Sequence, residues 1–337
     1  MIRGLVIGKF YPPHRGHKFL IETALAQVDH LDVLICARSD QTISGELRAQ
    51  WLREIHPRAF VRAIDDPGRD DDSEFWASYT KRLLGRAPDV VFTSEDYGEA
   101  YARFLGCRHV MVDRERSHVP VSGRAIRSAP LDHWEYLEPC VRAYFARRVC
   151  VVGAESTGTT TLAQDLARRY STAWVPEFGR EYCERLQAAN IDLWTYQWRT
   201  EEFTEIARRQ QEMENRLARE ANRILICDTD VLATSIWHER YIGNRSPEVE
   251  AIIHESRHDL YLLTDCDIPF VQDGLRDGET IRQWMTRRFE EVLDEKRLFW
   301  VKVSGSREQR LKRSTVEVDK LLLSHSINKF TGSTPAL

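Results

Sequence analysis

This sequence is poor in the features that mark several protein classes. Its seven cysteines include no C-x-x-C pair, and Cys36, Cys150 and Cys227 sit inside apolar runs. They read as small core residues of a reduced cytoplasm, not as disulfides or zinc ligands. No apolar run reaches the length of a membrane span, and the N-terminus opens as a strand rather than a signal peptide. An excess of basic charge is missing too: 48 Lys and Arg stand against 52 Asp and Glu, a net charge of −4. That balance argues against a general nucleic-acid binder. What is present is 337 residues, 42% of them hydrophobic, enough for two domains with real cores. Composition leaves the oligomeric state open, a homo-oligomer included.

The stretch Gly8-Lys9-Phe10-Tyr11-Pro12-Pro13-His14-Arg15-Gly16-His17 organises the first half. It follows the apolar run Leu5-Val6-Ile7 and precedes helical spacing over 19–28. This predicts a strand-to-helix turn at the carboxyl end of a first strand, where open α/β sheets bind ligands. Gly8 and Gly16 let the backbone approach a ligand closely, with Lys9 and Phe10 between them. His14 and His17 flank the helix entrance, where free N–H groups and the helix dipole favour an anion. Two imidazoles there can hold phosphate oxygens and stabilise developing charge. Further strands are predicted over 32–37, 60–64, 89–93 and 108–112. Arg48 reads either as a substrate contact from a helix start or as an exposed surface arginine. Trp76, after the acidic run 65–72, either stacks on a flat ring or packs in a core. Ser122 opens a helix as its N-cap, and Arg127, one turn in, is placed to clamp a triphosphate with the histidine turn.

A closing helix over 134–148 and a new strand at Val149 set a domain boundary there. Gly153-Ala154-Glu155-Ser156-Thr157-Gly158-Thr159-Thr160-Thr161 has the frame of a P-loop, G-x-x-x-x-G-K-[ST], which cradles phosphates with backbone N–H groups. Thr159 stands where the motif has lysine; Thr160 keeps the hydroxyl expected on Mg²⁺. A plain glycine-rich turn is the bland alternative. Glu177, after the extended segment 173–176, is placed to take a proton from a substrate hydroxyl. The apolar run 224–227 ends in Asp228, as in a strand whose aspartate holds Mg²⁺. The helix over 195–221 reads as core rather than ligand box. Asp273-Gly274-Leu275-Arg276 precedes a helix over 281–293, and Arg276, Arg282 and Arg287 read either as a cationic lid or as an ordinary basic face. The architecture predicted is α/β throughout: a Rossmann-like nucleotidyltransferase domain with a parallel sheet over 1–148, a P-loop kinase-like α/β domain over 149–328, and a disordered tail over 329–337.

The pattern G-x-F-x-P-x-H-x-G-H over Gly8–His17 matches the HxGH nucleotidyltransferase signature. The superfamily's second motif, I-S-x-T-x-x-R, stands here as Val121 to Arg127, with Arg124 in place of the usual Thr. With 153–161, Glu177-Phe178-Gly179-Arg180-Glu181 and 273–276 in the same order, the chain resembles the NadR family. That family joins a nicotinamide mononucleotide adenylyltransferase to a ribosylnicotinamide kinase. The resemblance implies ATP, nicotinamide mononucleotide, nicotinamide riboside and NAD as ligands and Mg²⁺ as cofactor. It implies His14, His17 and Arg127 as the adenylyl-transfer residues and Glu177 as the kinase base. Thr160 and Asp228 would lie around Mg²⁺, with Arg48, Trp76, Arg180, Asp273 and Arg276 at the substrates. Some members carry an N-terminal helix-turn-helix domain; this chain begins at the first Rossmann strand, which implies no operator binding. A cytoplasmic NAD-synthesising enzyme is the expectation. The alternatives are adenylyl transfer alone, with the second domain a regulatory nucleotide binder, or a different phosphate acceptor.

Overall fold

The computed structural model describes residues 1–273 and 278–324. The chain divides into two compact units, Met1–Val141 and Arg142–Leu337. The tail expected over 329–337 and the lid residue Arg276 lie outside the described residues.

Strands and helices alternate in the first unit. They run β1 (Arg3–Gly8), α1 (Arg15–Leu25), β2 (His30–Ala37), α2 (Gly45–Ile55), β3 (Phe60–Asp65), α3 (Ser73–Leu84), β4 (Val90–Thr93), α4 (Gly98–Leu105), β5 (Arg108–Met111) and α5 (Gly123–Ser128). The sheet order is β3-β2-β1-β4-β5, and every pairing is parallel. A parallel sheet covered on both faces needs strands that are apolar on both sides. β1 shows this directly: Val6 packs into one core with Leu20, Ile21 and Val33, while Leu5 packs into a second with Leu34, Val91 and Tyr101. The helix starts are fixed by side chains that accept a backbone N–H: His14 for α1, Ser44 for α2, Asp72 for α3 and Ser122 for α5.

The second unit repeats the scheme. After α6 (Pro139–Phe145) come β6 (Arg147–Gly153), α7 (Thr159–Tyr170), β7 (Trp174–Val175), α8 (Phe178–Ala188), α9 (Thr200–Leu217), β8 (Ile224–Asp228), α10 (Val231–Ile242), α11 (Pro247–Glu255), β9 (Leu260–Thr264), α12 (Arg282–Glu295), β10 (Trp300–Val303) and α13 (Arg307–Leu323). The order β10-β9-β6-β8-β7 puts β6 at the centre, again with parallel neighbours.

Two expected elements differ. The single helix over 134–148 is broken into a 3₁₀ turn, Trp134–Tyr136, and α6, and the strand begins at Arg147. Pro139 has no N–H to give and restricts the residue before it, so it starts a helix rather than continuing one. The helix expected from residue 195 starts at Thr200, where Glu202 accepts the Arg199 N–H at 2.9 Å and closes a capping box.

Candidate active sites

In the first unit β1 ends at Gly8 and α1 starts at Arg15, so residues 9–14 form the turn. His14 is the N-cap of α1: its Nδ1 accepts the Gly16 N–H at 3.1 Å. That bond leaves the ring proton on Nε2, pointing the donor away from the helix. His17, one turn on, stacks on His14 with ring centroids 3.7 Å apart. Burial, with the Arg116 cation nearby, lowers the His14 pKa to about 4. Burial, His14 and Arg116 hold His17 well below its usual range as well. Both rings are therefore neutral donors at physiological pH.

Phe10 is 2% exposed and meets His17 edge-on, with centroids 4.9 Å apart. It buttresses the histidine rather than facing solvent. Lys9 reaches Asp70 at 3.0 Å. Arg127 donates to the Tyr11 carbonyl, and its guanidinium lies 4.6 Å from the centre of the Tyr11 ring. A β-carbon on Gly123 would stand 2.8 Å from the Tyr11 carbonyl oxygen, so the two motifs fit together only with glycine there. Ser122 spends its Oγ on the Ala125 N–H as the α5 cap.

Arg48 is not the exposed surface arginine of the alternative reading. It is fully buried, and its guanidinium donates to the Ser44, Cys36 and Lys9 carbonyls and to Gln41 Oε1. It meets the turn twice, through the Lys9 carbonyl and with its guanidinium 5.3 Å from the centre of the Tyr11 ring. Trp76 sits in the first turn of α3, half-buried, with its Nε1 donating to the Arg69 carbonyl at 2.7 Å. Arg116, whose charge acts on both histidines, was not singled out by the motifs. Its only sequence signal is a basic residue in the loop after β5.

In the second unit the P-loop joins β6 to α7. Gly153 is locked: a β-carbon would stand 2.2 Å from Thr264 Oγ1 and 2.7 Å from Thr157 Oγ1. Thr157 is fully buried, its hydroxyl bonded to the Ala154 carbonyl at 2.6 Å and paired with Thr264 Oγ1 at 2.7 Å. Ser156 Oγ accepts the Val271 N–H at 2.8 Å, and Glu155 accepts the Gly278 N–H at 2.6 Å. Arg282 donates to the Ser156 and Ile268 carbonyls at 3.2 and 2.9 Å. The side chains of Ser156 and Thr157 thus brace the loop. Gly158 takes φ 83° as the loop enters α7, and Thr161 faces solvent.

Burial pushes the Asp228 carboxyl up to about 6, against the opposing influence of the neighbouring Thr160 and Thr159 hydroxyls and the Arg180 cation. Asp228 Oδ1 is buried without a hydrogen-bond partner. A cavity is lined by Gly153 to Ser156, Thr159, Thr160, Glu177, Gly179 and Arg180, and walled by the aromatics Trp198, Phe203, Trp237 and Tyr241. Trp198 lies 5.3 Å from Phe203 and 5.5 Å from Tyr241, centroid to centroid. Arg180 pairs with Asp273 at 3.0 Å. Gln210 on α9 accepts the Phe178 N–H at 2.8 Å and so fixes the turn that carries Glu177. Phe203 is the core residue expected of α9, but it also lines the cavity. The aromatic wall and Gln210 escaped the sequence reading because their positions are scattered over some distance in the chain and share no spacing.

The family model described as an AAA domain matches residues 148–310. The trifunctional NAD biosynthesis/regulator protein NadR of Escherichia coli K12 is 31% identical over 89% of this chain and 78% of its own length. The nicotinamide-nucleotide adenylyltransferase of Thermococcus onnurineus is 27% identical over 52% of this chain and 98% of its own. A crystal structure of a NadR protein in complex with NR superposes with a TM-score of 0.79 at 21% identity, covering 97% of this chain and 98% of the other. A second, of NadR with NAD and AMP-PNP, gives 0.77 at 22% identity over 98% of each chain. These two structures share the fold from end to end. By its identity to the Escherichia coli protein over most of both lengths, the chain belongs to the NadR family.

Proposed function

We propose that this chain makes NAD in two ATP-dependent steps, one on each unit. The second unit phosphorylates the 5′-hydroxyl of nicotinamide riboside, and the first transfers the adenylyl group of ATP to nicotinamide mononucleotide. The observation that carries this reading is the stacked His14–His17 pair at the entrance of α1, with Arg127 bound to the same turn.

In the adenylyl transfer a phosphate oxygen of the mononucleotide attacks the α-phosphorus of ATP, and the bond to the β-phosphate breaks, releasing pyrophosphate. The nucleophile is already an anion, so no base is needed. The chain supplies position and charge. Each histidine donates a hydrogen bond to phosphate oxygen from a neutral ring, and Arg127 and Arg116 balance the charge gathered on the leaving group. Desolvating two neutral imidazoles costs less than desolvating two cations, which suits a partly buried turn.

In the kinase step Glu177 accepts the hydroxyl proton as the oxygen attacks the γ-phosphorus and ADP leaves. The backbone of the Gly153–Gly158 loop holds the phosphates. The unpartnered Asp228 Oδ1 and the Thr160 hydroxyl beside it fit Mg²⁺, which would supply charge neutralisation on the β- and γ-phosphates. Arg180, in the same cavity, brings the cation that Thr159 does not. The aromatic wall offers flat faces for a pyridinium ring, and a cationic ring over Trp or Tyr gains cation–π attraction.

A second reading keeps adenylyl transfer alone, with the second unit a regulatory nucleotide binder. It is favoured by the exchange of lysine for Thr159. Incubating the full chain with ATP, Mg²⁺ and either nicotinamide riboside or nicotinamide mononucleotide tests both. Mononucleotide from the riboside and NAD from the mononucleotide are expected. ATP binding without riboside phosphorylation would leave the second reading standing. NAD failing to form while another phosphate acceptor reacts would overturn the first.

A further inference from the structure

The second unit also holds a buried cluster that neither reaction uses. Cys150 on β6 and Cys227 on β8 are register partners across a parallel ladder, and both are fully buried. Glu214 reaches in from α9 at 1% exposed, and the His258 side chain, just before β9, is fully buried. The ligand atoms of Glu214, Cys227 and His258 all lie within 4.8 Å of one another, as do those of Cys150, Asp230 and His258.

The detailed geometry is informative. Glu214 Oε2 stands 3.2 Å from His258 Nε2. Yet these two atoms, and Glu214 Oε1, are buried without a hydrogen-bond partner. They are close but not directed at each other. Lone pairs that converge on a shared third point produce that arrangement. A bare hydrogen-bonded pair would line up. On the far side of the ring, His258 Nδ1 is 3.4 Å from Asp230 Oδ2 and 3.2 Å from the Tyr261 hydroxyl. Asp230 is itself fixed by that hydroxyl at 2.7 Å and by the Ala233 N–H at 3.1 Å. A carboxylate on the outer nitrogen of an imidazole is the usual support of a metal-bound histidine.

We propose that Glu214, Cys227 and His258 bind a thiophilic divalent cation of the zinc class. A sulfur, nitrogen and oxygen donor set suits that class, and its complete burial makes it a structural site rather than a catalytic one. The charges balance: the Cys227 thiolate and the Glu214 and Asp230 carboxylates meet a divalent cation and Arg148, whose Nη1 lies 3.6 Å from Glu214 Oε2. The ion ties α9, which also orients the Glu177 turn, to β8 and the start of β9. Positions 214, 227 and 258 have no metal-motif spacing, which is why Cys227 reads as a plain core residue in the sequence.

The test is a cobalt titration of the full chain after chelator treatment. A single equivalent of Co²⁺ should raise a thiolate-to-cobalt charge-transfer band. Zn²⁺ should displace it and raise the thermal midpoint. Cys227→Ala should abolish the band and Cys107→Ser should leave it. Glu214→Gln keeps the side-chain shape and should weaken Co²⁺ binding roughly tenfold or more. Folded chain with no thiolate band, in which His258 serves as an imidazolium between two carboxylates, would overturn the proposal. So would a band of equal intensity in Cys227→Ala. Should that variant not fold, unchanged Co²⁺ affinity in Glu214→Gln has the same force.

Discussion

Arg127 and Tyr11, 116 positions apart, meet through both a backbone hydrogen bond and a cation–π contact. The contact joins α5 to the histidine turn, so the arginine both shapes the cradle and brings charge to it. Arg127→Ala should lower kcat/KM for NAD formation from nicotinamide mononucleotide by about 10²–10³-fold, the scale of losing one preorganised charge contact. His17→Ala should abolish that reaction. Riboside phosphorylation should be unchanged in both variants, as a coupled-enzyme assay of ADP release would show. Loss of both reactions in a folded variant would contradict independent sites.

The buried histidine cap gives the fold an acid limit. The His14 pKa is lowered to about 4 from an unfolded value of 6.5. Between these values the unfolded chain binds more protons than the folded one, so stability falls as pH drops from 6.5 towards 4. The contribution is on the order of 3 kcal/mol. His14→Asn retains a capping side chain and should flatten the pH dependence of the first unit's denaturant midpoint over that window. An unchanged slope would mean that the ring is not desolvated as described.

Gly153 admits no side chain. A methyl group there would collide with Thr264 Oγ1 and Thr157 Oγ1, both part of the bonding that sets the loop. Gly153→Ala should therefore cost riboside phosphorylation at least about 10²-fold through misplacement of the loop amides. NAD formation from the mononucleotide should persist. Isothermal titration with an ATP analogue would check that binding at the second site is what is lost.

The exchange at Thr159 makes an unusual prediction. If Arg180 supplies the missing charge, Arg180→Ala should reduce kinase kcat by about 10²-fold, while Thr159→Lys changes it by less than about tenfold. A large rate gain in Thr159→Lys, with Arg180→Ala silent, would point to a site waiting for its lysine.

Gln210→Ala removes the acceptor of the Phe178 N–H and loosens the turn that carries Glu177. Kinase kcat should fall by roughly tenfold with KM for the riboside little changed, since the side chain would align the proposed base rather than bind substrate.

How much of this was legible in the sequence depends on the range of the forces involved. β1, β2, β6, β8 and β9 were plain because a strand buried on both faces must be an unbroken apolar run. The two phosphate turns were plain because glycines, histidines and hydroxyls are grouped within ten residues of one another. The helices α3, α4, α8, α10 and α11 were not singled out; they are short or lie between polar loops. Arg48 shows the main limit. Its helix position was right, but its guanidinium turns inward to three backbone carbonyls, and no local pattern shows that an arginine at a helix start will be buried. Gln210, Arg116 and the aromatic wall are tertiary in the same sense: each acquires meaning only when strands far apart in sequence become neighbours.

The two-residue β7 is the outermost strand of its sheet, whereas β6 lies at the centre. Local opening begins at margins and reaches the middle last. Amide exchange should therefore be fastest around Glu177 and slowest behind the phosphate loop. The turn that carries Glu177 is thus the part of the cavity with the most freedom to adjust, and the phosphate loop the part with the least.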